Sequence, residues 1–183
     1  MSKKAIVILA DGFEEIEACT CIDILRRAGI EVTVTGLDDV KVTGSRRIVI
    51  LADTTLNQVT LGVDACVLPG GMPGASNLAA SEKVTTLIKR MYHEGKIIAA
   101  ICASPAIVLA PLGILKNKSA TCFPGMEDKF SIGTIYKEDP VVTDANVITS
   151  RGPGTALKFA LKIVENLAGK EISEKVQKAT LAS

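Results

Sequence analysis

The chain has 183 residues, of which 48% are hydrophobic, and a formal net charge of +1 from 21 basic and 20 acidic residues. This length and composition predict one domain, residues 1–183, with a substantial core. The balanced charge gives no electrostatic reason to expect nucleic-acid binding. The sequence also lacks an apolar run long enough for a transmembrane helix. We therefore expect neither nucleic acid nor membrane as a partner.

Strands and helices alternate in the first half of the chain. Strands are predicted at 5–10, 31–35 and 65–68, and residues 40–43 with 47–52 form a hairpin pattern. A helix over 15–28, ending at Gly29, carries an apolar stripe at helical spacing. Ser81 is the predicted N-cap of a second helix that ends near residue 94. The residues of the first helix's stripe are Ile16, Cys19, Ile22, Ile24 and Leu25.

The second half continues the alternation less regularly. A buried strand is predicted at 96–101, and Pro105 begins a helix that continues through 106–110. Thr155 is a candidate N-cap for a helix to residue 168, and a final helix is predicted at 173–179. Together these elements predict an α/β fold with a doubly wound, mostly parallel sheet and helices on both faces. Further strands are predicted at 119–122, 134–136, 140–144 and 147–149.

Cys102 lies at the junction between a predicted strand and a helix. Open α/β sheets bind ligands at the carboxyl ends of their strands, and the small neighbours Ala100 and Ser104 fit a sharp turn that presents a nucleophile. A helix N-terminus there is expected to lower the pKa of the thiol. The alternative is a free cysteine that packs as a small hydrophobe.

Acidic and glycine-containing segments supply possible partners for Cys102. Glu14, Glu15 and Glu17 begin the first helix. The favourable interaction of a carboxylate with the helix dipole is enough to explain two of them. The third, if it is buried and protonated, could donate a hydrogen bond to a thiolate. Spacing alone does not choose among the three. Glycines in the loops at 69–71 and 152–154 allow the backbone to approach closely and can leave backbone N–H groups free. Ordinary turns explain these glycines equally well.

The histidine and cysteine content indicates which catalytic and metal sites to expect and in which cellular compartment. His93, the only histidine, precedes the Cys102 strand at the opposite edge of the sheet, which disfavours a Cys–His dyad. One histidine and no C-x-x-C motif make a zinc site improbable. The N-terminal segment lacks a signal-peptide core, and five cysteines without an export signal are typical of a reducing compartment, so we expect a cytoplasmic protein.

Nearly the whole chain resembles the DJ-one branch of the ThiJ/PfpI superfamily. The resemblance rests on AIVILADGFEEIE at 5–17, ILRRAGIEVTV at 24–34, VLPGG at 67–71, AAICASPA at 99–106 and TSRGPGTALKFALKIVE at 149–165. It implies a flavodoxin-like fold of the class I glutamine amidotransferase type, a homodimer and no cofactor.

The resemblance also implies roles for individual residues. Cys102 corresponds to an oxidation-prone nucleophile, and Glu17 to the protonated glutamate that hydrogen-bonds it. The N–H groups of Gly71 and Ala103 correspond to oxyanion donors. Further residues are candidates for the pocket or the dimer interface, and these are Gly70, Arg27, Arg46, Cys122, Phe123, Arg151, Gly152 and Pro153.

One position departs from the pattern of some members. Phe123 stands where those members have a histidine, so that the base must be Glu17 or water. Cys122, beside it, is either a second thiol near the pocket or a packed side chain.

Three functions follow from the resemblance. The first is a cysteine-dependent glyoxalase III or protein deglycase that acts on methylglyoxal, glyoxal or their early adducts in carbonyl and oxidative stress defence. The second is a redox-sensing stress-response protein or chaperone that is controlled by oxidation of Cys102 to the sulfinate. The third is a PfpI-like intracellular peptidase, which Ala103 disfavours because that branch has a histidine directly after the nucleophile.

Overall fold

The structure is a computed structural model that describes residues 2–59 and 62–182. A seven-stranded sheet lies at its centre. Most strands are central and short, as expected for runs buried on both faces. The elements in chain order are β1 (Lys4–Leu9), α1 (Glu15–Arg27), β2 (Glu31–Gly36), β3 (Lys41–Thr43), β4 (Val49–Leu51), β5 (Thr54–Thr55), β6 (Ala65–Leu68), α2 (Gly74–Ala80), α3 (Glu82–His93), β7 (Ile97–Ile101), a π-helix (Pro105–Leu109), β8 (Ser119–Ala120), a 3₁₀ turn (Glu127–Lys129), β9 (Ile135–Tyr136), β10 (Val141–Asp144), β11 (Val147–Ser150), a second 3₁₀ turn (Pro153–Thr155), α4 (Ala156–Ala168) and α5 (Lys170–Ala179).

The sheet has the predicted doubly wound, mostly parallel topology. Its strand order is β10-β11-β7-β6-β1-β2-β5, and β10 at one edge is the antiparallel strand. Alternate residues of β1 enter two cores: Val7 packs with α1 and α4 on one face, and Ile8 packs with α3 on the other. The carboxyl ends of β1, β6 and β7 therefore lie side by side at one edge of the sheet.

Most sequence-predicted elements are confirmed within one or two residues. The predicted hairpin is the antiparallel pair β3–β4, and the predicted edge strand at 140–144 is β10. Gly29 has φ +75°, as the stop of α1 requires. Ser81 accepts a hydrogen bond from the N–H of Val84 and so caps α3.

Two helix predictions need refinement. The helix predicted to begin at Pro105 is present as a five-residue π-helix, Pro105–Leu109, in which the N–H of Ala110 donates to the carbonyl of Pro105 at 3.0 Å. The apolar stripe predicted for α1 is also misplaced, since Ile16 and Cys19 are exposed and the buried face is Ala18, Cys21, Ile24 and Leu25. Ile24 and Leu25 of the predicted stripe do enter the core, and the half-buried Ile22 packs against it.

Thr155 occupies the N-cap position of α4, as predicted, but its side chain makes no capping hydrogen bond to the helix. Its hydroxyl instead accepts a hydrogen bond from the N–H of Gly152 at 3.1 Å and lies 2.7 Å from the hydroxyl of Ser150. The sequence analysis also misses α2, because Gly74–Ala80 has no apolar period long enough to predict a helix. Among the described residues, no helix is both long enough and apolar enough to cross a membrane.

Candidate functional site

Cys102 follows β7 directly and has an unusual backbone conformation. Its φ of +63° lies in the left-handed region, which is costly for a residue with a side chain. Two hydrogen bonds hold it there: its N–H donates to the carbonyl of Ser150 at 2.9 Å, and its carbonyl accepts from the N–H of Phe123 at 2.8 Å. The side chain is thereby raised at the edge of the sheet, and the residue is 8% exposed.

The loop after β6 packs directly against this turn. A Cβ atom on Gly70 would lie 2.6 Å from the Cβ of Cys102 and 2.9 Å from the nitrogen of Ala103, so only glycine fits. Gly71 has φ +86°. The backbone N–H groups of Gly71 and Ala103 lie close enough to the sulfur of Cys102 to lower its pKa. Two amides from neighbouring strand ends thus converge on one sulfur atom.

The three glutamates of the first helical turn have three different environments. Glu14 caps α1, since its carboxylate accepts a hydrogen bond from the N–H of Glu17 at 2.8 Å. Glu15 accepts hydrogen bonds from the N–H of Arg46 at 2.5 Å and the hydroxyl of Ser45 at 3.2 Å, and so ties the β3–β4 hairpin to the helix. Glu17 is the one that faces Cys102. The geometry therefore makes the choice that spacing leaves open.

Glu17 is fully buried, and its carboxyl joins the helix to the glycine loop. Its Oε2 accepts a hydrogen bond from the N–H of Gly70 at 2.7 Å, whereas Oε1 has no hydrogen-bond partner within residues 2–59 and 62–182. Burial raises the pKa of Glu17 from 4.5 to about 7, and the Gly70 N–H opposes part of this rise. Since Oε2 accepts a hydrogen bond, the proton of the neutral acid belongs on Oε1.

The thiol of Cys102 is less acidic than the sequence predicts. Burial raises its pKa from 9.0 to about 12, and the negative charge of Glu17 contributes further. The predicted lowering is wrong because the following helix is a single π turn with little dipole, whereas the sulfur lies in a dry site beside a carboxylate. Near neutral pH, the pair therefore holds a thiol and a carboxyl that is close to half ionised.

The 121–125 loop and the end of β11 lie next to Cys102, since both hydrogen-bond its backbone. Phe123 is partly exposed, and its ring lies 3.4 Å from the position that a Cβ of Gly152 would take. The side chain of Cys122 is fully buried, and burial raises its pKa to about 12, with Glu127 raising it further and Arg151 lowering it.

Other predicted residues lie farther from the sulfur or in supporting positions. Arg27 is exposed near the end of α1 and pairs with Asp23 at 2.6 Å. Arg151 donates to the carbonyl of Glu138 at 2.9 Å, and Pro153 begins a 3₁₀ turn after Gly152. His93 is exposed at the end of α3, just before β7, and no contact joins it to Cys102 in the described chain.

Two of the clefts in the described structure lie away from Cys102. One, of about 580 Å³, lies where β1 and β2 end, between Asp11, Asp39, Asn77 and Lys83. Among the described residues, no three His, Cys, Asp or Glu side chains form a group that could hold a metal ion.

One supporting residue escapes the sequence analysis. The buried hydroxyl of Ser104 donates to the carbonyl of Pro69 at 2.6 Å, which links the turn after β7 to the loop after β6. The sequence shows only that Ser104 is small, because its partner is a backbone atom 35 residues away.

Known proteins resemble this chain over its full length. The model of the DJ-1/PfpI family matches residues 3–166. Protein dj-1beta of Drosophila melanogaster is 48% identical over 100% of this chain and 99% of its own, and its crystal structure superposes with a TM-score of 0.96. The glutathione-independent glyoxalase DJR-1.2 of Caenorhabditis elegans is 40% identical over 92% of this chain and 91% of its own. The oxidized DJ-1 of Toxoplasma gondii is 39% identical, with a TM-score of 0.96 and complete coverage of both chains.

The raised pKa of Glu17 predicts a pH-dependent cost of folding. The native state holds the proton more tightly than the unfolded chain, so its stabilising effect is complete below pH 4.5 and is lost as the pH rises through about 7. Replacement of Glu17 by Gln removes this loss. We expect the free energy of unfolding of Glu17→Gln, relative to wild type, to increase by about 3 kcal/mol between pH 4 and pH 8 in urea titrations. A constant difference across that range would contradict the buried neutral acid.

Proposed function

The chain belongs to the DJ-1/PfpI family, and on that premise we propose that it is a cofactor-independent enzyme with Cys102 as its nucleophile. Its proposed substrates are the α-dicarbonyls methylglyoxal and glyoxal, or their early adducts with amino and thiol groups. The observation that carries the proposal is the convergence of a strained cysteine, a carboxyl with a pKa of about 7 and two backbone N–H groups on one point. The relative named as a glyoxalase supports this reaction class.

In the first step, the sulfur of Cys102 attacks the aldehyde carbon. Because the thiol has a pKa of about 12, it needs a base, and the Glu17 carboxylate takes the proton as the carbon–sulfur bond forms. The aldehyde oxygen gains the negative charge of a hemithioacetal alkoxide. The N–H groups of Gly71 and Ala103 are the donors that stabilise this charge.

The second step moves hydrogen between adjacent carbons. The alkoxide is protonated, and a base removes the proton from the former aldehyde carbon to give an enediolate. The hydroxyl proton then passes from the first oxygen to the neighbouring oxygen, and a proton is returned to the neighbouring carbon. Glu17 can carry this proton because its pKa lies near the working pH. The product is a thioester of a 2-hydroxy acid, which water hydrolyses to lactate or glycolate with return of the thiol. The net change is addition of one water, so no oxidant or reductant is consumed.

A deglycase reaction would use the same carbon. The early adduct of an amine with a dicarbonyl is a hemiaminal, and attack by Cys102 at its carbon expels the amine and leaves the same hemithioacetal. Both reactions then share the later steps.

Removal of the nucleophile or of its base should abolish turnover. We expect Cys102→Ser and Glu17→Gln to reduce methylglyoxal consumption at least a hundredfold, whereas Cys19→Ser, which alters an exposed cysteine on the outer side of α1, leaves it unchanged. For wild type, kcat/KM should increase as the pH rises through about 7, because the carboxylate is the base. Retained turnover in Cys102→Ser would disprove the mechanism.

A second candidate function is a redox sensor in which Cys102 oxidises to the sulfinate. The relative described as oxidized DJ-1 favours it, and the amides of Gly71 and Ala103 could hold sulfinate oxygens as they hold the sulfur. Mild peroxide should then add two oxygens at Cys102 alone, as measured by intact mass and peptide mapping. Equal oxidation of all five cysteines would count against sensing.

We also propose a homodimer that is formed through α1 and the β3–β4 hairpin. Ile16, Ile48, Val49 and Leu51 are 46–74% exposed, and the bonds from the hairpin to Glu15 place these apolar side chains on adjacent elements. A second copy of the same surface would cover them by a two-fold contact.

Charges on this surface should separate the two copies. We expect wild type to sediment as a dimer and the double variant Ile48→Glu, Leu51→Glu to sediment as a folded monomer. Ile132→Glu is the matched control, since Ile132 is 97% exposed on a different loop and its variant should remain a dimer. A monomeric wild type at tens of micromolar would refute the proposal.

A further inference from the structure

The two amide donors at Cys102 belong to separate loops. Gly71 follows β6, whereas Ala103 follows β7 and the nucleophile itself. Stabilisation of an oxyanion requires both donors about 3 Å from the same oxygen, so the spacing between the two loops must be fixed to a fraction of an ångström. The inference below rests on the proposed function, in which these donors act.

Close contact sets the smallest distance between the loops. Gly70 lies so near the 102–104 turn that a Cβ atom added to it would be only 2.9 Å from the nitrogen of Ala103. The backbones therefore meet with no side chain between them. Contact alone, however, does not prevent the loops from moving apart.

Ser104 supplies a side-chain hydrogen bond between the two loops. Its hydroxyl, which is fully buried, donates to the carbonyl of Pro69 at 2.6 Å. Pro69 is two residues before Gly71, and Ser104 directly follows Ala103. Within residues 2–59 and 62–182, this is the one hydrogen bond that joins the 69–71 loop to the 102–104 turn apart from the amide contacts to the sulfur.

We propose that Ser104 is a positioning residue that holds the N–H groups of Gly71 and Ala103 at the spacing needed for the sulfur and the oxyanion. Ser104 does not touch the substrate. It acts through the backbone of Pro69, and the glycine contact and the serine bond together fix the distance between the two donors from both sides.

A purely structural role is the alternative. A buried carbonyl requires a donor, and Ser104 would then only satisfy Pro69. The chain offers a matched control for that role. The hydroxyl of Ser173, also buried, donates to the carbonyl of Leu161 at 2.8 Å where α5 packs on α4, so its loss has the same chemistry away from Cys102.

The experiment compares Ser104→Ala with Ser173→Ala in the full chain. We expect Ser104→Ala to lower kcat for methylglyoxal about tenfold with KM changed less than twofold, because the donors act on charge that develops after binding. The alkylation rate of Cys102 by iodoacetamide at pH 8–9, followed by mass spectrometry, should also fall severalfold, since a displaced Gly71 N–H no longer lowers the thiol pKa. Ser173→Ala should change neither quantity.

Each result decides between the two roles. Equal alkylation rates and equal kcat in Ser104→Ala and wild type would overturn the proposal, as would equal losses in the two serine variants. If wild type consumes no dicarbonyl, the proposed function fails, but the alkylation rates still test the positioning role. Should Ser104→Ala not fold, Ser104→Gly removes the same hydroxyl with a smaller residue, and the same comparison applies.

Discussion

Burial of the Glu17 carboxyl beside the Cys102 thiol is the constraint on which the rest of the site depends. Each group loses water, and a negative charge on one disfavours a charge on the other, so both pKa values are raised. The fold tolerates this cost because several nearby groups interact favourably with the two residues. Glu14 caps the helix that carries Glu17, the Gly70 N–H binds its carboxylate, and two amides meet the sulfur.

This constraint explains how one site could combine a weak acid and a strong nucleophile. A thiol with a pKa of about 12 gains its charge only when its proton leaves. Glu17, with a pKa of about 7, is a suitable acceptor at neutral pH. In the proposed mechanism, chemistry at Cys102 is thus coupled to the arrival of an electrophile.

The sequence predicts the sheet and the main helices, because strand runs such as 65–68 and caps such as Ser81 are local signals. It also places Cys102 at the end of a strand. Electrostatics at the site is harder to predict, since it depends on burial and on contacts between distant segments. The expected fall in the thiol pKa does not occur because the thiol is buried and because Glu17, 85 positions earlier in the chain, lies beside the sulfur. Ser104 is missed for the same reason, as its partner is the carbonyl of Pro69.

The most direct test of the central claim is the pKa of the Cys102 thiol in wild type and in Glu17→Gln, measured from the pH dependence of its alkylation. Glutamine keeps the size of the side chain and removes the negative charge that raises the thiol pKa. We expect a pKa well above 9 in wild type and a clearly lower value in the variant. An unchanged or higher pKa in Glu17→Gln would show that the carboxylate does not control the thiol, and the coupling between the two buried acids would be refuted.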